Sequence, residues 1–496
     1  MRAVKAFARA IALFFTGSVI GTLTQVAKGK LGAVVLGPEG TGVLNQLTNA
    51  WNLLYALTGL GFYNGIVRRI AEAHTSADRE ALARQLSTSL LFLSAVASLG
   101  ALLSAVLAWP LSHSLFADGG HHAPLVAITL LSVPFAIVAQ TYKGLLSGCR
   151  LVRPIVSAQV ASDAVGLVLF VILVLQMQLA GAVLAFSALQ LLKLALQITA
   201  VRRAIPGMTI LPAAAMFSWR EVGLNVGFGI NGLFMATLAV FTIVVVSRWI
   251  IAALGLDANG IFSVAWKVAS VYFGAIYASG GSFYFPTLVA CRDDTDLSLR
   301  INEAISLYFY LLPPLIIALM AAGEDLMILL FSREFGAAAG LLLLLLPGDL
   351  FRVLAEAMGM AFLARRRLVA YTMTYVLWAA AFLALSHLAL PRYALIGVAA
   401  AYLASQIINA AVVYLCARRY FCFTLSGPTL RTLGAGLVAV ATAALALAQA
   451  SDWPLRYAKG ATILALWFAF AWTDARFRAL AAQAWSKTVR RMGPQA

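Results

Sequence analysis

The sequence predicts an all-α polytopic membrane protein, and three observations predict it. Hydrophobic residues make up 62% of the 496-residue chain and charged residues only 11%, too apolar a balance for a water-soluble core. Apolar runs of about 20 residues recur along the whole length, each enough to carry a helix across a hydrocarbon layer of about 30 Å. Lys and Arg gather at alternate ends of these runs.

Taken in order, the runs and their breaks predict fourteen spans. The first six lie over residues 10–35, 43–67, 86–113, 123–147, 154–176 and 180–201. The next six lie over 222–252, 261–288, 302–331, 338–363, 370–390 and 394–416, and two more over 432–450 and 458–473. Arg2, Lys5 and Arg9 followed by an apolar run imitate a signal peptide. No small-residue cleavage site follows, so the run is expected to be the first span. The breaks carry turn chemistry, as in GPEGTG at 37–42, ADGGHH at 117–122, GLDANG at 255–260 and ALPRY at 389–393.

Charge placement orients the chain. With a cytoplasmic N-terminus, 25 of the 36 basic residues fall at cytoplasmic ends and loops, among them Arg68, Arg69, Arg150, Arg153, Arg365, Arg366 and Arg367. The opposite side holds four, Arg333, Arg392, Arg456 and Lys459. This bias puts both termini inside and accounts for most of the net charge of +17 as topology, which excludes a nucleic-acid surface. The basic tail after residue 474 is expected to lie against anionic lipid headgroups. Cys149, Cys291, Cys416 and Cys422 fall near predicted cytoplasmic ends, lack metal-ligand spacing and are expected to stay reduced.

The chain also repeats itself. At a shift of 218 residues, Leu36 falls on Leu254, Gly37 on Gly255, Glu39 on Asp257, Gly42 on Gly260 and Lys30 on Arg248. A self-match near half the chain length means duplication, and in a membrane protein it points to a transporter with its site between the halves. Six spans per half give the repeats one orientation, related by an axis along the membrane normal. The expected organisation is an N-lobe over 1–203, a cytoplasmic linker over 204–220, a C-lobe over 221–418, and two extra helices with a basic tail over 419–496.

Seven basic residues remain inside predicted spans: Lys28, Lys30, Lys143, Lys193, Arg248, Lys267 and Arg352. Three acids join them, Asp163, Asp349 and Glu356. A charge at mid-bilayer costs about 2.5–3.5 kcal/mol, so each needs a water-filled cavity, a partner or a reach to the membrane edge. Lys28, Lys30, Arg248 and Lys143 lie near enough to an edge to snorkel. Asp349, Arg352 and Glu356 share one helix face and are able to neutralise one another, and Asp163 is able to pair with Lys193 or Lys143. The remainder is cationic, which suits an anionic substrate. Asn45, Asn49, Asn52, Gly59 and Tyr63 form a stripe at helical spacing on the second span. Ser263, Lys267, Ser270, Gly274 and Tyr277 form the matching stripe in the second half. Both read as cavity linings, with helix-to-helix glue as the alternative.

Other chemistries are excluded by what the chain lacks. No GxxxxGK[ST] phosphate loop is present, so the chain carries no P-loop ATPase of its own. No Ser/His/Asp or Cys/His arrangement stands out, and no loop is long enough to hold a catalytic domain. His121 and His122 read as a solvated loop pair. No catalytic residue, metal site or cofactor is expected.

The stretches GKLGAVVLGPEGTG (29–42), GLGFYNGIVRRIAEAH (59–74), YKGLLSG (142–148) and PGDLFRVL (347–354) resemble those of the Wzx-type O-antigen and polysaccharide flippases. That family belongs to the multidrug/oligosaccharidyl-lipid/polysaccharide exporter superfamily. The resemblance covers about residues 1–420. In the family's pattern a basic residue stands where Lys30, Lys143, Arg248 and Arg352 stand here, and an acid at Asp349. The resemblance implies two six-helix lobes around a central cavity in a bacterial inner membrane. It implies transfer of a polyprenyl-pyrophosphate-linked oligosaccharide from the cytoplasmic to the periplasmic leaflet by alternating access. Membrane lipids, and the polymerase and chain-length proteins of the same pathway, are the other implied partners. The substrate-binding residues expected are Lys30, Arg248, Lys267, Lys193, Arg352, Lys143, Asn45, Asn49 and Asn52.

Two departures from the family qualify these expectations. Many relatives stop after twelve spans. In related lipid II flippases an extra helix pair forms a groove for the lipid tail, and the last two spans here invite the same role. Related multidrug exporters often keep an acid in the first span for ion coupling. None lies there in this chain, so Asp163 is the candidate coupling residue. Competing readings are a multidrug or small-molecule antiporter of the same superfamily, an integral glycan-assembly enzyme, and a non-transporting scaffold.

Overall fold

In a computed structural model the chain is a multi-pass, all-helical protein; no strand occurs among the described residues. The structure describes residues 2–76, 78–117, 120–208, 211–279, 284–450 and 452–478, without the side chains of 2–19, 228 and 271–279. The Tyr277 side chain, and Lys487, Arg490 and Arg491 of the basic tail, lie outside the described residues.

The helices run in the order α1 (Arg2–Gly59), α2 (Phe62–Thr75), α3 (Arg79–Val106), α4 (Ala108–Phe116), α5 (Ala123–Leu131), α6 (Val133–Gly148), α7 (Val152–Ala204) and α8 (Trp219–Leu254). There follow α9 (Leu256–Ser279), α10 (Phe285–Ala290), α11 (Asp294–Ala321), α12 (Gly323–Leu330), α13 (Ala338–Ala364), α14 (Leu368–Phe421), α15 (Gly427–Ala448) and α16 (Trp453–Thr473). Eight helical stretches among the described residues are long and apolar enough to cross a membrane. At 53 and 54 residues, α7 and α14 are each long enough to cross twice. They turn back at Gln178 (φ 48°, ψ −122°) and Ala394 (φ 50°, ψ −139°), and α1 turns at Gly37 (φ 64°, ψ −172°). Divided at these turns, with α5 and α6 as one run, the helices follow the order of the fourteen expected spans. The expected span 86–113 is two helices, because the chain breaks at Leu107 ahead of Pro110. The expected span 302–331 begins earlier, at an Asp293 side chain that caps α11 by accepting from the Asp296 N–H at 2.8 Å, and ends at Ala321.

The duplicated turns have the same backbone. Gly37 and Gly255 both pair a positive φ (64° and 90°) with an extended ψ (−172° and 176°), a conformation open to glycine and costly for other residues. Further along, the spacing is 216. Arg150 and Arg366 both have φ 57°, each two residues past the end of its helix and donating its N–H to the carbonyl three residues back, Ser147 and Leu363. Gln178 and Ala394 stand at the same offset, as do Gly181 and Gly397. A Cβ on Gly181 would strike the Leu173 carbonyl and one on Gly397 the Ala389 carbonyl, so both hairpins close on a glycine for the same reason.

The chain divides into two compact units. Unit 1 runs to Ser263 and adds Leu329–Glu334; unit 2 comprises Val264–Ile328 and the chain from Phe335 on. The core of unit 1 gathers Val43, Leu47, Phe62, Ile66, Ile70, Leu86, Val126 and Leu145 from α1 to α6. Unit 2 buries Val264, Ala265 and Ala269 of α9 together with Phe309, Ile316, Leu345, Phe362 and Phe382. Large apolar side chains such as Leu99, Val106, Val168, Leu175 and Leu445 are exposed, as helices surrounded by hydrocarbon require. In unit 2, α15 and α16 are fastened to α11 and α12. Asn302 Nδ2 donates to the Thr424 carbonyl at 2.9 Å, Tyr310 Oη donates to Asp474 at 2.7 Å, and Arg456 pairs with Glu324 and Asp325.

Candidate functional site

In unit 1 the two duplicated turns meet. A Cβ on Gly42 would collide with the Leu256 carbonyl, and one on Gly260 with the Pro38 carbonyl. Gly42 and Gly260 are repeat partners, and so are Pro38 and Leu256, so the two contacts are one contact seen twice. Asn45 donates to Ser263, its own repeat partner, and Asn259 Nδ2 donates to the Gly42 carbonyl at 3.0 Å. Asn45 is therefore buried and bonded in this crossing, while Asn49 and Asn52 remain half-buried. The stripe stops at Leu60 and Gly61, both at positive φ. Beyond this break Tyr63 sits on α2 against Ser147, 3.2 Å away.

Near the other end of α8 the helices approach just as closely. A Cβ on Gly61 would meet the Gly229 backbone and one on Gly65 the Asn225 backbone. Arg69 grips Glu221 through two bonds from Nη2 (2.6 and 2.7 Å) and one from Nε (3.0 Å).

Four charged residues of unit 1 lie near one another: Lys28 on α1, Lys143 on α6, and Asp163 and Lys193 on α7. Asp163 is 3% exposed and accepts from Gln159 Nε2 at 2.9 Å. Lys28 feels both Asp163 and Lys193, and Lys193 feels Asp163 and Lys143. Glycines make the room. A Cβ on Gly21 would stand 3.1 Å from Asp163 Oδ2, and one on Gly166 3.2 Å from Lys28 Nζ. Lys28 and Lys193 thus lie in the field of one carboxylate, with Lys143 near Lys193, so positive charge outnumbers negative in this group. Lys30 and Arg248 stand apart from this group. Lys30 Nζ donates to the Leu329 carbonyl at 2.6 Å in the last turn of α12, where a cation suits the helix dipole. Arg248 is half-buried on α8.

Unit 2 carries a different arrangement. Asp349, 2% exposed, accepts from Tyr402 Oη at 2.6 Å, and Arg352 Nη1 lies 4.0 Å from the same carboxylate oxygen. One turn on, Glu356 accepts from Tyr375 and, at 3.4 Å, from Tyr371. The charged face expected on this helix thus acquires three tyrosine hydroxyls from α14. Rings continue the network: Tyr375, Trp378, Phe382, Tyr402 and Trp266 touch in succession, with centroids 5.1–6.4 Å apart. Lys267, beside Trp266 on α9, is exposed. No group of three or more metal-ligating side chains occurs among the described residues.

A family model described as polysaccharide biosynthesis protein matches residues 11–291, more than half of the chain. The chain belongs to this polysaccharide biosynthesis family. Among sequence relatives, it is 23% identical over 398 residues to the lipid III flippase of Escherichia coli K12, an alignment covering 77% of this family member and 90% of the relative. Among solved structures, it resembles the lipid II flippase MurJ in an inward closed conformation, with a TM-score of 0.71, 13% identity and coverage of 94% and 99%. It also resembles an inward-facing multidrug-resistance MATE family transporter of the MOP superfamily, with a TM-score of 0.69, 16% identity and coverage of 83% and 98%. These structural likenesses establish the fold.

Sequence reasoning missed Gln159 and the three tyrosines, and counted Lys28 among the lysines near a membrane edge. Gln159 stands four residues before Asp163, one helical turn, which is a readable signal. Tyr371 and Tyr375 share a face for the same reason, but nothing in the sequence says that α13 lies opposite.

Proposed function

We propose that this protein is a flippase, a transporter rather than an enzyme, that moves a polyprenyl-pyrophosphate-linked oligosaccharide of the O-antigen or exopolysaccharide type from the cytoplasmic to the periplasmic leaflet of a bacterial inner membrane. The observation that carries the reading is the cluster in which Lys28 and Lys193 share the field of buried Asp163, with Lys143 near Lys193. A pyrophosphate needs several ammonium donors held away from bulk water, and a helix bundle keeps such groups only where they are used. The flippase among its sequence relatives supports the substrate class, and the basic-residue bias supports cytoplasmic termini. Transport then proceeds by alternating access. Lys30, Arg248, Lys267 and Arg352, with Asn49 and Asn52, are the further candidate substrate contacts, and α15 with α16 offers the lipid tail an apolar wall. Polymerase and chain-length proteins would take the product onward.

A small-molecule antiporter is the second reading, favoured by the acid–tyrosine network of unit 2, which suits a cation. Flipping of lipid-linked oligosaccharide in vesicles separates the two. Lys28→Ala with Lys193→Ala, at normal membrane level, is expected to abolish flipping, and Lys→Arg exchange to restore part of it. Normal flipping by the double variant would refute the lysine cluster as the anion site.

A further inference from the structure

Asp163 is a buried charge that binding of an anion does not call for. A carboxylate at 3% exposure is unfavourable unless partners compensate it, and structural ion pairs achieve this by closing up on their lysines. Here the direct partner is a neutral amide, Gln159 Nε2 at 2.9 Å. Lys28 and Lys193 lie within its field, yet neither forms a direct ion pair with it among the described residues. Gly21 and Gly166, lacking side chains, let the carboxylate and Lys28 Nζ sit close against the helix backbones. The ammonium groups thus keep donors for another anion while Asp163 offsets part of their charge.

Resting on the reading that these lysines receive the pyrophosphate, we infer that Asp163 is an internal competitor for them, a positioning residue that sets how tightly the diphosphate is held. In the empty site its charge holds Lys28 and Lys193 in place. In the filled site the diphosphate takes over that role, and repulsion from Asp163 keeps the complex loose enough to dissociate. A carrier needs both halves of this balance, since a site with three uncompensated lysines would bind its anion and keep it.

The full-length protein in detergent is titrated with inorganic pyrophosphate and, separately, with phosphatidylglycerol in mixed micelles, because a lipid headgroup offers similar phosphate chemistry. Asp163→Asn preserves the shape and the bond from Gln159. It is expected to bind pyrophosphate on the order of tenfold more tightly than the unaltered protein, as fits one unit charge removed at short range, and to slow flipping because release becomes limiting. Adding Lys193→Gln to Asp163→Asn returns the affinity towards the starting value; the tightening by Asp163→Asn alone is the effect that a merely structural aspartate would not produce. Gln159→Glu, which adds a second carboxylate and serves if Asp163→Asn fails to fold, is expected to weaken binding by a similar factor. Unchanged or weaker pyrophosphate binding by folded Asp163→Asn, or unchanged binding by Gln159→Glu, overturns the inference while leaving the transport reading in place. Binding of phosphatidylglycerol but not of pyrophosphate overturns both. Tightened pyrophosphate binding alongside normal flipping by the Lys28→Ala, Lys193→Ala variant upholds the competitor and removes its site from the transport path.

Discussion

Placing a methyl group at the crossing of the two repeat turns should open that crossing. In Gly42→Ala the new Cβ meets the Leu256 carbonyl, and in Gly260→Ala it meets the Pro38 carbonyl. The obstructing atom is backbone in both, so no rotamer change relieves the clash. Overpacking of this kind costs about 1–3 kcal/mol, with the rigid partner placing it towards the upper end. Replacing a helical glycine by alanine returns about 1 kcal/mol. The net penalty on the crossed state is about 1–2 kcal/mol, equivalent to a population change of about five- to thirtyfold. Thr41 is a suitable reporter, since its side chain is 9% exposed within the same turn. With the four native cysteines replaced by alanine, Thr41→Cys should react slowly with a small methanethiosulfonate reagent. Gly42→Ala should raise that rate about five- to thirtyfold, and Gly340→Ala, where a Cβ meets nothing within 4 Å, should leave it unchanged. An equal labelling rate in folded Gly42→Ala would refute the argument that these two glycines set the crossing.

Three other outcomes are expected. Reversing one partner of the Arg69–Glu221 pair, by Arg69→Glu or Glu221→Arg, should lower stability by about 1–3 kcal/mol, and the double exchange should recover part of it in a thermal-melt cycle. Cys422 is exposed, whereas Cys149 is buried and burial pushes its thiol up; an impermeant maleimide should label Cys422 and spare Cys149, and should do so in inside-out vesicles only if the termini are cytoplasmic. Burial alone would raise the Asp474 carboxyl, but the Tyr310 hydroxyl, the Arg476 N–H and the nearby Arg476 and Arg431 guanidiniums hold it below the ordinary carboxylate value. A depressed carboxylate contributes stability above its unfolded value and loses it as pH falls through the folded one. The melting difference between the unaltered protein and Asp474→Ala should therefore stay constant from about pH 8 to 5 and vanish only in stronger acid.

The order of the helices was legible because apolar length is a one-dimensional signal. The first repeat register was legible for a local reason as well: Gly37 and Gly255 announce a backbone that few other residues adopt. The second register, 216 instead of 218, was hidden. Its turns use Arg150 and Arg366, or Gln178 and Ala394, at positive φ, and such residues carry no turn signature. The charged residues of the site were legible singly, since a lysine or aspartate in an apolar run stands out. Their grouping was not. Periodicity placed Asp349, Arg352 and Glu356 on one face but left the opposing helix unnamed, so the tyrosine hydroxyls that complete the network could not be anticipated. Likewise Asn45 read as a lining residue because its spacing fits one, whereas its amide is bonded to Ser263 within a helix crossing.

The fastening of α15 and α16 to α11 and α12 bears on how chains of different length are related. Asn302, Ser306 and Tyr310 are buried in that contact, and Ser306 shares a hydrogen bond of 3.1 Å with Thr429. Stopping the chain near residue 420 would leave these polar side chains with hydrocarbon for neighbours, and Glu324 and Asp325 without Arg456. The last two helices are therefore not a detachable appendage. A twelve-span version of this protein would need compensating apolar replacements along α11 before it could dispense with them, so loss or gain of the pair leaves a trace in a helix well before the end of the chain.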